Sequence, residues 1–146
     1  MNLGAFGVVI LYGRKGEENI NIGDYSGMAS KYPLLAAAMA IFMFSLAGIP
    51  PTAGFVGKFY IFSSAIKAGY IGLAIIGVLN SALSVYYYLR VTVMMYMRNP
   101  EKEFARLDLS PAMVIALIIA VWGTLQMGII PSQYLNLARE SILALM

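Results

Sequence analysis

The sequence contains no cysteine and no histidine. These residues supply the usual ligands of iron–sulfur clusters, haem and structural zinc, so any redox chemistry tied to this chain must take place in another chain. Charge is scarce too, at 12% of 146 residues. Ten Lys and Arg stand against seven Asp and Glu. No basic run with interleaved aromatics accompanies that small surplus, which argues against a nucleic-acid partner despite a pI near 9.2. No nucleophile–base arrangement, metal-ligand spacing or phosphate loop is present, and Gly13-Arg14-Lys15-Gly16 reads only as a turn. The lack of cysteine says little about compartment. What the chain does have is apolar surface: 60% of its residues are hydrophobic. With a mean hydropathy of +0.77 it reads as an integral membrane protein built from helices.

The apolar blocks can be measured against the roughly 20 residues a helix needs to cross a bilayer. Residues 1–13 are too short. They carry no basic n-region and no small-residue cleavage site before Arg14-Lys15-Gly16-Glu17-Glu18, so they do not read as a signal peptide. The expectation is a partial spanning helix, with Met1 an internal methionine of a longer protein. Residues 33–67 are too long for one straight crossing and are interrupted once, as expected of a single broken spanning helix. Residues 70–97 form a further crossing, on which Gly77 and Ser81 offer a small-xxx-small face to a neighbouring helix. Residues 111–130 form another, opened by Ser110-Pro111 and stopped by Pro131. In the tail, residues 132–146, Leu135, Ala138, Ile142 and Leu145 share one helical face with Arg139 and Glu140 off it. Such a segment lies along the membrane interface or packs on a partner.

Basic residues orient these spans. Arg14, Lys15 and Lys31 lie in the first connection and Arg98, Lys102 and Arg106 in the third, against Lys67 in the second and Arg139 in the tail. The imbalance puts the first and third connections in the cytoplasm and the C-terminus outside.

The interruption is the stretch SLAGIPPTAGFVGKFYIF, Ser45 to Phe62. Pro50 and Pro51 remove two backbone donors, while Gly48 and Gly54 allow backbone paths that other residues resist. Unsatisfied backbone groups in hydrocarbon cost several kcal/mol each, so a break survives only where protein or a water-filled cavity meets them. Lys58 lies about one turn beyond Gly54, and about 13 Å of helix separates it from Lys67, too far for an easy snorkel to the surface. A desolvated lysine poised near neutrality can take up and release a proton, whereas a permanently charged one cannot. The exposed carbonyls of the first half-helix would favour its charged form. A kink alone can be mere packing and a lone lysine can snorkel or pair. Their coincidence points to a proton or ion pathway.

Other polar residues admit blander readings. Arg90 after Tyr86-Tyr87-Tyr88 matches an aromatic belt with a snorkelling cation. Asn80, Ser81 and Ser84 either line a water path or bond between helices. Gln126 is expected to bond a neighbouring helix, and Lys31 and Asp24 to be solvated loop charges.

At SLAGIPPTAGFVGKFYIF, supported by MNLGAFGVV upstream and LNSALSVYYYLRV downstream, the sequence resembles the subunit N family of bacterial NADH-quinone oxidoreductase, respiratory complex I. The likeness covers nearly the whole chain and is weakest after Pro111. Lysine rather than glutamate at position 58, in the context GFVGKF, separates it from the sister M subunits. The resemblance implies an all-α antiporter-like transmembrane bundle of about fourteen helices, of which this chain would be the C-terminal third. It implies that Lys58 is a proton relay serving the exit toward the outer face, and that Gly48, Pro50, Pro51 and Gly54 form the helix break. It implies no cofactor in this chain, a bacterial inner membrane location, and the other membrane-arm subunits as partners. A subunit of a multisubunit cation/proton antiporter or of a membrane-bound hydrogenase is the alternative, and a purely structural membrane module a third reading.

Overall fold

A computed structural model describes residues 2–13, 21–100 and 110–143. Every regular element among them is helical: α1 (Asn2–Gly13), a 3-10 turn (Ile22–Tyr25), α2 (Met28–Lys31), α3 (Pro33–Ala47), α4 (Ala53–Lys67), α5 (Ile71–Met97), α6 (Pro111–Ile129) and α7 (Pro131–Leu143). Arg14, Lys15, Lys102, Arg106 and Leu145, which enter the charge and face arguments above, lie outside the described residues.

The core forms around α3. Its sequence, PLLAAAMAIFMFSLA, begins with a proline at a position whose N–H would be unpaired anyway and continues through alanines, the best helix formers. It carries no charge and is apolar on every side, the pattern of a helix surrounded by others. The fold surrounds it with α1, α2, α4, α5 and α6. Phe42, fully buried, lays its ring where a side chain on Gly4 of α1 would stand, so the missing Cβ lets those helices meet. Phe62 of α4 fills the same kind of notch at Gly77 of α5.

Two of the helices, α5 and α6, are long and apolar enough to cross a membrane unaided. At about 1.5 Å per residue, the 15-residue α3 and α4 are each too short, and only their combined length suffices. The outer faces are apolar: Leu73, Ile76 and Leu79 on α5 and Ile115, Ile118, Ile119 and Trp122 on α6 are exposed. Water does not tolerate surfaces of that kind and extent, so they face lipid or further helices.

Two details differ from the sequence expectation. Within the described part of the first connection, residues 25–28 are packed rather than solvated. Tyr25, Ser26 and Met28 are buried, the Gly27 N–H donates to the Met94 carbonyl at 3.1 Å, and Asp24 accepts the Asn21 N–H at 3.1 Å. Burial, with the Asp24 carboxylate adding to it, pushes the Tyr25 phenol above its ordinary value. Lys31 is exposed. Pro131, expected only to end α6, also opens α7, because a proline fits the first turn of a helix as readily as it stops the preceding one. On α7, Leu135 is half-buried while Ala138 and Ile142 are exposed.

Candidate functional site

Residues 48–52 separate α3 from α4, and every backbone carbonyl freed at the end of α3 is met. A helix leaves its last four carbonyls without partners of its own. Gly48 takes φ +88°, the left-handed geometry that glycine tolerates best. There its N–H reaches the Phe44 and Ser45 carbonyls at 3.0 and 3.1 Å, and the following Ile49 N–H donates to Phe44 at 3.0 Å. That is a Schellman closure, and it leaves two carbonyls, Leu46 and Ala47. Lys58 takes both: its Nζ donates to the Leu46 oxygen at 2.9 Å and to the Ala47 oxygen at 3.0 Å. The lysine comes from the second turn of α4 and passes back over Gly48, where a Cβ would stand 3.0 Å from Lys58 Cδ. Its ammonium thus occupies the negative end of the α3 dipole.

The other side of the break is equally tied down. Gly54, in the first turn of α4, donates its N–H to the buried Ser45 Oγ at 3.1 Å. Its approach is so close that any Cβ would overlap the Ser45 carbonyl. The Thr52 hydroxyl donates to the Ile49 carbonyl at 2.7 Å. Pro50 and Pro51 lie at the exposed turn, joined by a cis peptide bond. From α6, Gly128 presses directly on the Pro51 and Thr52 backbone, where a side chain would not fit. Ser45, Thr52 and Gly128 were not singled out from sequence. Thr52 was detectable as a threonine just before a helix start. Ser45 and Gly128 were not, since their roles exist only once α3, α4 and α6 meet.

Lys58 is half-buried and opens on one side into a groove of about 700 Å³. Leu46 and Lys58 form one wall; Asn80, Ser81, Leu83, Ser84, Tyr87 and Tyr88 of α5 form the other. Of the two readings left open for Asn80, Ser81 and Ser84, the fold therefore puts all three beside Lys58. Among the described residues Ser84 bonds no other helix, its Oγ donating to the Ser81 carbonyl at 2.7 Å. Ser81 thus lines this groove, and of the Gly77/Ser81 pair it is Gly77 that receives α4. Arg90 is exposed and stands outside the groove lining. Gln126 accepts the Tyr134 hydroxyl of α7 at 3.0 Å, which fastens α7 to α6. An ammonium anchored on backbone carbonyls beside a polar groove can exchange protons; a fixed ion pair offers no such freedom.

Residues 1–84 match the family described as NADH:quinone oxidoreductase/Mrp antiporter, TM. The chain is 57% identical over 142 residues to NADH-quinone oxidoreductase subunit N of Trichlorobacter lovleyi, covering 97% of this chain and 29% of that protein. It is 48% identical to NADH-quinone oxidoreductase subunit N 1 of Solibacter usitatus, with the same coverage. Among solved structures, a chain of respiratory complex I from Thermus thermophilus with bound aureothin is similar at a TM-score of 0.69 and 30% identity, covering 89% of this chain and 33% of that one. The chain thus spans about 29% of the length of these curated relatives.

Proposed function

We propose, from the premise that this chain belongs to the NADH:quinone oxidoreductase/Mrp antiporter transmembrane family, that it is part of a proton-translocating membrane-arm subunit of an NADH-quinone oxidoreductase. The observation that carries this reading is the anchoring of Lys58 on the last two carbonyls of α3 at the edge of a polar groove. Broken helices whose ends address a charged group mark ion sites in membrane transporters. An ionisable residue at such depth is retained for a function rather than for stability.

In this reading Lys58 is the proton relay and Gly48, Pro50, Pro51 and Gly54 shape the break that holds it. The chain contributes no cofactor of its own. Electrons move from NADH to quinone in partner subunits, and the energy reaches this chain as a conformational or electrostatic change. The other membrane-arm subunits are its partners, and it sits in a bacterial inner membrane with α7 along the outer interface and the C-terminus outside. The names of its relatives, NADH-quinone oxidoreductase subunit N, favour this over the second reading, a cation/proton antiporter subunit. The family description, which includes Mrp antiporters, keeps that second reading in play.

The deciding experiment measures protons pumped per NADH oxidised in membrane vesicles bearing the assembled complex, wild type against Lys58→Met and Lys58→Arg in the full-length subunit. Both variants are expected to assemble and to pump less, the arginine failing because it stays charged. Normal pumping by Lys58→Met at full NADH turnover would remove Lys58 from the proton route.

A further inference from the structure

The anchoring of Lys58 leaves its chemistry pointing one way. An ammonium has three N–H donors. Two are taken by the Leu46 and Ala47 carbonyls, and the side chain's open flank is the groove shared with α5. A neutral amine keeps two N–H groups and gains a lone pair, so both anchoring bonds survive loss of the third proton. Lys58 can therefore exchange a proton without leaving its site.

The facing wall on α5 is built to receive it. Asn80, Ser84 and Tyr87 stand at i, i+4 and i+7, with Ser81 beside them, and so form one polar stripe along a helix whose remaining faces are largely apolar. Asn80 follows Ile71 by the same nine residues that separate Lys58 from Lys67. The two therefore lie at one depth, about 13 Å from the shared α4–α5 end. Ser84 and Tyr87 lie one and two turns further, toward the Met97 end of α5. Asn80 and Tyr87 are exposed on this open groove, and among the described residues neither the Asn80 amide nor the Tyr87 hydroxyl has a protein hydrogen-bond partner. Polar groups at membrane depth require one. A groove of about 700 Å³ holds many waters at roughly 30 Å³ each.

We infer that the α5 stripe Asn80, Ser81, Ser84 and Tyr87 holds the water through which Lys58 exchanges its proton on the Met97 side. In the step itself the groove-facing Nζ–H bond breaks, the electron pair stays on Nζ, and the proton passes to a water oxygen held by the stripe; reprotonation is the reverse. The passage leads away from the Lys67–Ile71 end, so it is a second connection, distinct from an exit toward the outer face. The inference rests on the proposed role of Lys58.

The test uses the full-length subunit in the assembled complex. Asn80→Cys and Ser84→Cys are exposed to a membrane-impermeant, water-soluble maleimide, with Leu79→Cys on the outer apolar face as control, and label is read on this subunit. In parallel, pumping per NADH is compared for wild type, Lys58→Met, the double variant Asn80→Leu/Ser84→Ala, and the polar replacement Asn80→Ser/Ser84→Thr. Labelling at positions 80 and 84 several-fold above the control is expected. The apolar double variant is expected to lose at least half as much pumping as Lys58→Met, with the polar pair restoring it. If Lys58→Met loses pumping while the apolar double variant keeps the wild-type ratio, the inference falls and the role of Lys58 stands. If Lys58→Met itself pumps normally, the role of Lys58 falls and the inference with it. Should the apolar pair fail to assemble, labelling decides: unreactive cysteines at 80 and 84 mean a dry, packed groove and overturn the proposal.

Discussion

The two halves of the broken helix have the same length and opposite characters. Nine residues of α3 are buried, and it carries no charge; α4 buries only Gly54 and carries Lys58 and Lys67. Packing accounts for the contrast. α3 is enclosed by five neighbours, so its free energy is in side-chain contacts and its backbone is fixed. α4 packs on α6, α5 and α3 along one side and leaves Phe59 and Ile61 on the other exposed. A rigid helix end provides the carbonyls, and a less constrained helix brings the titratable group to them. The proposed relay requires both, since a lysine packed as tightly as Phe42 would have no way to exchange its proton.

The contrast breaks most completely at the contact between the halves. Gly54→Ala puts a methyl group into the Ser45 carbonyl, and backbone cannot yield as a side chain can. The first turn of α4 must then move off α3, taking Lys58 with it, and pumping per NADH should fall to the level of Lys58→Met. Next comes the frame itself. Phe42→Ala empties the centre of the bundle, a truncation that typically costs about 3–5 kcal/mol, and the variant complex should dissociate at markedly lower temperature on native gels while any assembled fraction still pumps. Ser45→Ala leaves the Gly54 N–H unpaired in a buried place, a loss of about 1–3 kcal/mol. It should lower both thermal stability and pumping, because this bond joins α3 to the helix that carries the proposed relay.

Gly57→Ala sharpens the comparison from the other side. This glycine is three residues from Gly54, on the same helix, yet a Cβ there meets nothing within 4 Å. The substitution should leave pumping intact and shift stability by no more than the roughly 1 kcal/mol by which alanine exceeds glycine in helix propensity. A loss at Gly57 as large as at Gly54 would show that α4 is as tightly enclosed as α3.

Much of this was legible before any fold was known. Pro50, Pro51 and the flanking glycines mark the interruption by their own backbone chemistry, and Lys58 stands out because charge is costly in an apolar stretch. Ser110-Pro111 marks the start of α6 by the same local logic. The packing of residues 25–28 was not legible, since nothing local shows that the Gly27 N–H will meet the Met94 carbonyl, whereas Lys31 is exposed as its charge suggests. Asn80, Ser81 and Ser84 stayed ambiguous for a similar reason: a polar residue on an apolar helix needs a partner, and sequence does not say which side it faces.

What the sequence alone determined is where the helix breaks, because proline lacks a donor and glycine lacks a side chain whatever surrounds them. What the tertiary structure decided is what the break holds. Lys58 meets carbonyls eleven and twelve residues behind it, and α5 places Asn80, Ser81 and Ser84 across the groove from it. Those encounters depend on distances through space, which only the packing of α3, α4, α5 and α6 establishes.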